Sequence, residues 1–437
     1  MRADFESDRQ NKVKQRAVVN NGLERVIRDQ EVVNENPNVF SIELKKLGEI
    51  HAQKQSGRCW MFSALVTLEK SIAEKMKVDA FSLSKSFLYF YDILERANSF
   101  CQHIIDTADL PLTHKKVQWV LQDTIMEGGF TYQAHALIEK YGIVPEKIMP
   151  ETANSSNSGR MLFLMKEKLV ADAKKLRNAS ENDREAMKDE MLAEIYNILA
   201  VCLGTPPEEF TYSYRSEKDD KDKDKKSDEK LVTIKTTPLE FFEKYAKIPD
   251  DFVELRFLND YKSREWDKLY EGDLIEMMAG QKYTWANVKI CADVKEAMIK
   301  QLKDDMPVDC FWDFGRQFSG EDDKEAAILD TRILRHDELF GVEFGVASEE
   351  RGLYNDSYCQ GHATSIVAVH LDNDKPVRWK MKNSHGKERA GDNTGWAIMN
   401  DNYLDEYCIG VVLRKKYLSP EIVAIFDQKP TLVKYWE

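Results

Sequence analysis

A change of residue pattern at Pro307 most constrains how this chain can fold. Before it, apolar residues recur at helical spacing over long stretches, and after it come short β-rich runs separated by Gly, Asp and Asn. The predicted helices span 59–76, 84–100, 131–142, two segments within 159–203, and 287–305. The β-rich runs are VDCFWDFG, FGVEFGV, HATSIVAVHL, VRWKMKNS and GWAIMN. Helices first and strands last predict an α+β fold with at least two lobes.

The middle of the chain has a different character. At 211–238, two alternating, β-type flanks enclose a charged run from Glu217 to Lys230 with seven acidic and six basic residues. This pattern predicts a hairpin with a long solvated tip rather than a binding tail. We therefore predict three regions: 1–155, an N-terminal segment with the helical lobe; 156–290, an insertion with helices and the charged hairpin; and 291–437, a β-rich lobe.

Charge and composition exclude several classes of function. The 437 residues carry a net charge of −13, which repels phosphate backbones and anionic lipid, so we expect neither nucleic acid nor a membrane as partner. The polar first residues contain no apolar export segment, and the apolar stretches are too short to span a bilayer. Seven scattered cysteines without a CxxC motif predict neither a disulfide framework nor a zinc site. A reducing cytoplasm is the expected location.

Cys59 stands at the junction between a flexible Ser56-Gly57 pair and a predicted helix. Unpaired amides at a helix start stabilise a thiolate, so we expect the pKa of this thiol to fall. A lone cysteine is more often a small buried apolar residue, but the flanking sequence favours chemistry. Gln53 lies six residues upstream, and its amide is suited to donate to an oxyanion alongside the Cys59 N–H.

A thiolate nucleophile needs a base, and the base needs an orienting group. Among eight histidines, His362 follows Gly361 and opens an apolar strand. Asn383 stands 21 residues later at the end of the next predicted strand. Adjacent antiparallel strands would bring the two side chains together, and the Asn383 carbonyl would then fix the imidazole ring and its tautomer.

Gln53, Cys59-Trp60, His362 and Asn383 follow the order Gln, Cys, His, Asn of papain-like cysteine peptidases. The stretches QKQSGRCWMFSAL, EGGFTYQAHALIEKYGIVPEKIMPE and the closing DEYCIGVVLRKKYLSPEIVAIFDQKPTLVKYW resemble one branch in particular, which contains bleomycin hydrolase and bacterial aminopeptidase C. The long interval between Cys59 and His362 is similar to that produced by the large insertions of this branch. The resemblance covers most of the chain.

This resemblance implies a papain-like two-lobed fold. Cys59 would lie on the central helix of the helical lobe, and His362 with Asn383 on a β-barrel lobe. Gly128 and Gly129 resemble the stretch whose backbone pairs with an extended substrate, although they also suit a turn before the third helix. The resemblance further implies oligopeptide substrates, no metal or cofactor, and a homohexamer whose active sites face an internal chamber, with the insertion 156–290 forming its oligomerisation elements.

Two departures from the branch affect these expectations. His385 stands where the branch has a tryptophan that covers the Asn–His hydrogen bond, so we expect a wetter and weaker bond rather than a rival base. In aminopeptidases of the branch, a short arm beyond the residue matching Trp436 holds the substrate's α-ammonium with its terminal carboxylate. Here only Glu437 follows Trp436, which favours an endopeptidase; the alternative is an aminopeptidase of the bleomycin hydrolase type.

Two other classes of function compete with a peptidase. An inactive scaffold or binding protein would keep the fold without the chemistry, and the intact set of Gln53, Cys59, His362 and Asn383 argues against it. An acyltransferase of the transglutaminase type also uses Cys and His, but normally with Asp as the third member. Asn383 disfavours that alternative.

Overall fold

The computed structural model describes residues 1–122, 124–217, 230–257, 265–275, 277–313, 327–344, 361–389 and 395–437. The charged tip predicted between residues 217 and 230 falls almost wholly outside these ranges. Its two flanks pair as an antiparallel hairpin, with Phe210 opposite Thr236 and Ser216 opposite Lys230.

Helices dominate the first part of the chain. They are α1 (Arg2–Ser7), α2 (Arg9–Asn21), α3 (Leu23–Ile27), α4 (Gln30–Asn34), α5 (Cys59–Met76), α6 (Lys85–Asp106), α7 (Lys115–Gln122), α8 (Thr131–Tyr141), α9 (Ala153–Ser156), α10 (Gly159–Asn178), α11 (Arg184–Leu203) and α12 (Pro238–Tyr245). Further along are α13 (Ala292–Lys303), α14 (His336–Phe340), α15 (Asp401–Tyr407) and α16 (Pro420–Ile425), with short 3₁₀ turns at Glu181–Asp183, Lys387–Arg389 and Lys415–Tyr417. Among these described helices we find no candidate for a membrane span.

Strands dominate the last part. They are β1 (Ile42–Glu43), β2 (Phe210–Ser216), β3 (Lys230–Thr236), β4 (Phe252–Arg256), β5 (Lys268–Asp273), β6 (Thr284–Asn287), β7 (Val308–Asp313), β8 (Ala327–Leu329), β9 (Gly361–Asp372), β10 (Lys375–Lys382), β11 (Trp396–Asn400), β12 (Cys408–Arg414) and β13 (Thr431–Lys434). All but the β2–β3 hairpin belong to one sheet in the order β13-β5-β6-β4-β12-β7-β9-β10-β11-β8, with β1 added to β9.

Helix α5 lies between a layer of helices and the main sheet. It contains no Pro or Gly, and its Leu65 and Leu68 pack into a core shared with α6, α8, α10 and α11. Its Val66 packs instead into the core that the sheet forms with α13 and α15. Because both faces of α5 are buried, its first residue, Cys59, is held where the helical layer meets the sheet.

Most predicted elements are confirmed, with three differences. The run starting at Phe340 is not a strand in its described part, because α14 ends there and Gly341 turns the chain with φ of 69°. The predicted helix 287–305 begins only at Ala292, after β6. Strands β4, β5 and β6 lie inside the predicted insertion yet pair into the main sheet. The sheet thus extends across residue 290, and the domain boundary there stays a prediction.

Candidate active site

Cys59 is the first residue of α5 and is partly exposed. Arg58 before it has non-helical backbone angles, and its side chain is buried. The Arg58 guanidinium donates two hydrogen bonds, of 3.0 and 2.7 Å, to the two carboxylate oxygens of Glu151. It also donates to the Ser155 carbonyl at 2.7 Å and to Ser56 Oγ at 2.9 Å. The loop before the cysteine is therefore anchored into the protein by a buried cation.

His362 and Asn383 lie side by side on neighbouring antiparallel strands. β9 pairs with β10, and the His362 Nε2 and Asn383 Oδ1 atoms are 2.7 Å apart. The Ser384 N–H donates to the same Asn383 oxygen at 2.8 Å, so this oxygen is the acceptor and Nε2 the donor. The predicted adjacency is thus present, and it leaves Nδ1 of the neutral imidazole as the basic nitrogen.

The cysteine meets this pair through the residue next to the histidine. The backbone N–H groups of Ala363, Trp60 and Cys59 itself lie near the Cys59 sulfur and act to lower the pKa of its thiol. Burial nevertheless outweighs these donors and raises the pKa of the Cys59 thiol. The expected fall in the thiol pKa is therefore wrong, although the amides at the helix start act in the expected direction.

Burial also controls the histidine. It lowers the pKa of His362 to about 4, and the hydrogen bond to Asn383 opposes this only in part. The edge of the Trp312 indole packs against the imidazole, with 5.5 Å between ring centroids. At neutral pH, burial therefore favours the uncharged thiol of Cys59 and the uncharged imidazole of His362. Transfer of the thiol proton to the imidazole would give both groups their charge.

Gln53 joins the nucleophile loop to the strand that carries Asn383. Its backbone N–H donates to the Ser384 carbonyl at 2.7 Å, and its Oε1 accepts from Ser384 Oγ at 2.5 Å. One N–H of its amide donates to the Ser56 carbonyl at 2.6 Å. The amide is held from both sides, and its orientation leaves the second N–H for another acceptor.

His385 covers the His362–Asn383 pair. Its ring stacks on the His362 ring with 4.5 Å between centroids and 30° between planes, and its Nδ1 lies 3.3 Å from Asn383 Nδ2. A β-bridge to Ala52 holds the segment in place. His362 and Asn383 are 6% and 7% exposed, so the wetter bond expected from the sequence is not observed. His385 occupies the position of a shield.

Gly128 and Gly129 lie immediately before α8 and close to the start of the cysteine helix, against Gly57 and Trp60. A Cβ on Gly129 would lie 2.7 Å from the Trp60 indole and 2.6 Å from Gln133 Oε1, so only glycine allows this close approach. Arg96 donates to the Gly128 carbonyl. A cavity of about 300 Å³ adjoins the two glycines, with Phe100 and Trp119 among the residues of its wall. The segment suits contact with a substrate backbone, and that role stays a prediction.

Sequence reasoning missed Glu127, which precedes the two glycines. Its Oε2 accepts from the Gly57 N–H at 2.8 Å, and its Oε1 accepts from the Tyr89 hydroxyl at 2.5 Å. It therefore ties the loop before Cys59 to the segment with Gly128. The sequence held no signal for this contact because 70 positions separate Glu127 from Gly57.

Three comparisons relate this chain to known proteins. The sequence profile of the Peptidase C1-like family matches residues 1–437. Aminopeptidase C of Listeria monocytogenes is 34% identical over 404 residues, which cover 91% of this chain and 87% of that protein. Bleomycin hydrolase of Rattus norvegicus is 30% identical over 397 residues, covering 88% and 84%. The crystal structure of PepW from Lactobacillus rhamnosis superimposes with a TM-score of 0.89 at 35% identity, covering 100% of this chain and 96% of PepW.

A cysteine at the start of a buried helix and a His–Asn pair on an adjoining sheet are the residue types that thiol hydrolases use. The similarity to PepW and the family match give the fold as papain-like and α+β. The chain belongs to the Peptidase C1-like family and is a cysteine peptidase.

Proposed function

We propose that this protein hydrolyses peptide bonds of oligopeptides with Cys59 as nucleophile, His362 as base and acid, and Asn383 as the group that orients His362. The observation that carries the proposal is the 2.7 Å His362–Asn383 hydrogen bond, together with the position of Ala363, the residue after His362, near the Cys59 sulfur. This arrangement supplies a nucleophile, a base and an orienting group within one buried cluster.

In the proposed reaction, His362 Nδ1 takes the thiol proton as the Cys59 sulfur attacks the carbonyl carbon of the peptide. The Cys59 N–H and the second N–H of Gln53 hold the oxyanion of the tetrahedral intermediate. His362 returns its proton to the leaving amine, and the C–N bond breaks to give a thioester on Cys59. Water, deprotonated by His362, then hydrolyses the thioester and regenerates the thiol. The chemistry of these steps requires no cofactor or metal.

The mode of cleavage has two candidates. The relatives named aminopeptidases favour release of amino-terminal residues, since they are about one-third identical over nearly the whole chain. The endopeptidase predicted from the sequence is the second candidate. The cavity of about 300 Å³ beside Gly128 and Gly129 has room for further substrate residues and is compatible with both modes.

One experiment distinguishes these modes. A single oligopeptide is incubated with the protein under reducing conditions, once with a free and once with an acetylated amino terminus, and mass spectrometry locates the cuts. Stepwise trimming of only the free peptide supports an aminopeptidase, and internal cleavage of both supports an endopeptidase. The Cys59→Ala and His362→Ala proteins serve as controls, and retention of activity in either one contradicts the proposed site.

We also propose that the protein forms a homohexamer in the cytoplasm. Helices α10 and α11 expose apolar side chains that suit an interface, namely Phe163, Leu164, Val170 and Val201, which are 51%, 49%, 43% and 87% exposed. The six described cysteines are all free thiols, which fits a reducing compartment. Light scattering after size-exclusion chromatography tests the hexamer, with Val201→Glu as an interface variant; cell fractionation tests the location.

A further inference from the structure

Asp309 is a buried carboxylate on β7 that accepts hydrogen bonds from three different elements. The residue is 7% exposed. Ser63 Oγ and Ser365 Oγ lie 2.9 and 3.1 Å from its Oδ1, and Thr131 Oγ1 lies 2.8 Å from its Oδ2. The hydroxyls of Ser63 and Ser365 are also 3.0 Å from each other. Both carboxylate oxygens are therefore engaged.

Each of these hydroxyls belongs to a segment that carries part of the active site. Ser63 lies one helical turn after Cys59 on α5. Thr131 opens α8, two residues after Gly129. Ser365 stands three residues after His362 on β9, directly opposite Asp309 in the β7–β9 register. One carboxylate thus contacts the cysteine helix, the glycine segment and the histidine strand.

The charge of Asp309 determines the direction of the hydrogen bonds in this cluster. Among the described residues no ion pair to Asp309 is recorded, and burial raises the pKa of its carboxyl group while the three hydroxyls act to lower it. A carboxylate presents only acceptors, so the hydroxyls of Ser63 and Thr131 donate to it. The Ser365 hydroxyl is shared, because the Ser63 carbonyl oxygen lies 3.0 Å from its Oγ and Asp309 Oδ1 lies 3.1 Å from it. Replacing a donor by an alkyl group leaves a buried oxygen without its partner, and the surrounding segments then shift.

We propose that Asp309 is a positioning residue that fixes the spacing between Cys59, the Gly128–Gly129 segment and His362. The inference rests on the proposed function, because it assigns Asp309 to the alignment of that same site. Asp309 acts through its three hydroxyl partners, and each partner controls a different part of the site. Loss of the Thr131 contact disturbs substrate binding, and loss of the Ser63 contact disturbs the thiol.

The test removes one hydroxyl at a time from the full-length protein. For Thr131→Val we expect KM for an oligopeptide to rise about tenfold, while kcat and the rate of Cys59 alkylation by iodoacetamide stay within about twofold. For Ser63→Ala we expect kcat and the alkylation rate to fall about tenfold, with KM within about twofold. Thr131→Ser restores the hydroxyl and is expected to restore KM.

The control is Thr107→Val, a buried threonine at the end of α6 whose hydroxyl donates to the His103 carbonyl at 2.6 Å. Thr107→Val is expected to lower Tm. Its kcat and KM are expected to stay unchanged when the enzyme concentration is taken as the amount of protein whose Cys59 reacts with iodoacetamide. If Thr131→Val and Ser63→Ala behave like this control, Asp309 is only structural and the inference is wrong. The same holds if both variants change KM and kcat alike. Retained activity in Cys59→Ala instead contradicts the proposed function itself.

Discussion

Replacing Glu151 by Gln removes the charge that neutralises a buried cation beside the nucleophile. The Arg58 side chain is 1% exposed and the Glu151 side chain is 26% exposed, and the two form a bidentate pair. In the variant, Arg58 keeps its bonds to the Ser155 carbonyl and Ser56 Oγ, and its contact with the Tyr89 ring at 5.0 Å. The substitution removes the negative charge and replaces one of two acceptor oxygens by a donor, so Arg58 also loses one of its two bonds to this side chain or Ser155 Oγ loses its acceptor.

Removing one partner of a buried ion pair typically destabilises a protein by about 3–5 kcal/mol. Because Glu151 is 26% exposed and water reaches part of it, we expect about 3 kcal/mol for Glu151→Gln. A matched control is Glu271→Gln, since Glu271 pairs with Lys282 at 3.1 Å but the lysine is 74% exposed. That pair is expected to contribute less than about 1 kcal/mol.

The assay is urea unfolding followed by tryptophan fluorescence, repeated from pH 7 to pH 3. Burial acts to raise the pKa of Glu151, but the hydrogen bonds and charge of Arg58 outweigh it and hold the pKa below its ordinary value of 4.5. A carboxyl group with a lowered folded-state pKa stabilises the protein above its unfolded-state pKa, and this stabilisation is lost as pH falls through the folded-state pKa. The difference between wild type and Glu151→Gln is thus expected to be largest near pH 7 and to shrink below pH 4.5. A difference at pH 7 no larger than that of Glu271→Gln would refute this reasoning.

Three further predictions concern the site itself. Gly57→Ala places a Cβ 2.5 Å from the Glu127 Cβ, so we expect kcat/KM for an oligopeptide to fall about tenfold while far-UV circular dichroism is unchanged. Since the pKa of His362 is lowered to about 4, the acidic limb of the kcat/KM profile is expected to have its midpoint near pH 4, and a midpoint above 6 would contradict the burial argument. His385→Ala removes the ring stacked on His362, admits water and is expected to move that midpoint upward, which the same profile measures against wild type.

The parts of the site that the sequence predicts correctly depend on local pattern. An uninterrupted apolar period after Ser56-Gly57 predicts a helix that begins at Cys59, and the structure has α5 from Cys59 to Met76. Two consecutive β-type runs joined by a short turn predict an antiparallel pair, and β9 and β10 form one. The closeness of His362 and Asn383 follows from that pairing alone. Neighbouring strands therefore make this contact predictable without any knowledge of the remaining fold.

Contacts between distant segments follow no such rule. Arg58 and Glu151 are 93 positions apart, and nothing near either residue indicates its partner. Strands β4 to β6 lie within residues 156–290, the region that the sequence predicts as an insertion. Their place in the main sheet depends on pairing with β12 and β13, which come more than a hundred residues later. Sequence order predicts which elements form, whereas their partners depend on how the whole chain packs.

The pKa of the Cys59 thiol likewise depends on the whole fold and could be predicted from local sequence only in part. Helix position is a local property, and it correctly predicts that amides at the start of α5 act to lower the pKa of the thiol. Burial is a property of the assembled fold, in which Ala363 of β9 lies near the cysteine. Burial raises the pKa of the thiol and lowers that of His362, because it removes water from both charged forms, the thiolate and the imidazolium. A proton moved from one group to the other creates an ion pair with no net charge, so the enclosure that disfavours each single charge leaves this transfer available to the reaction.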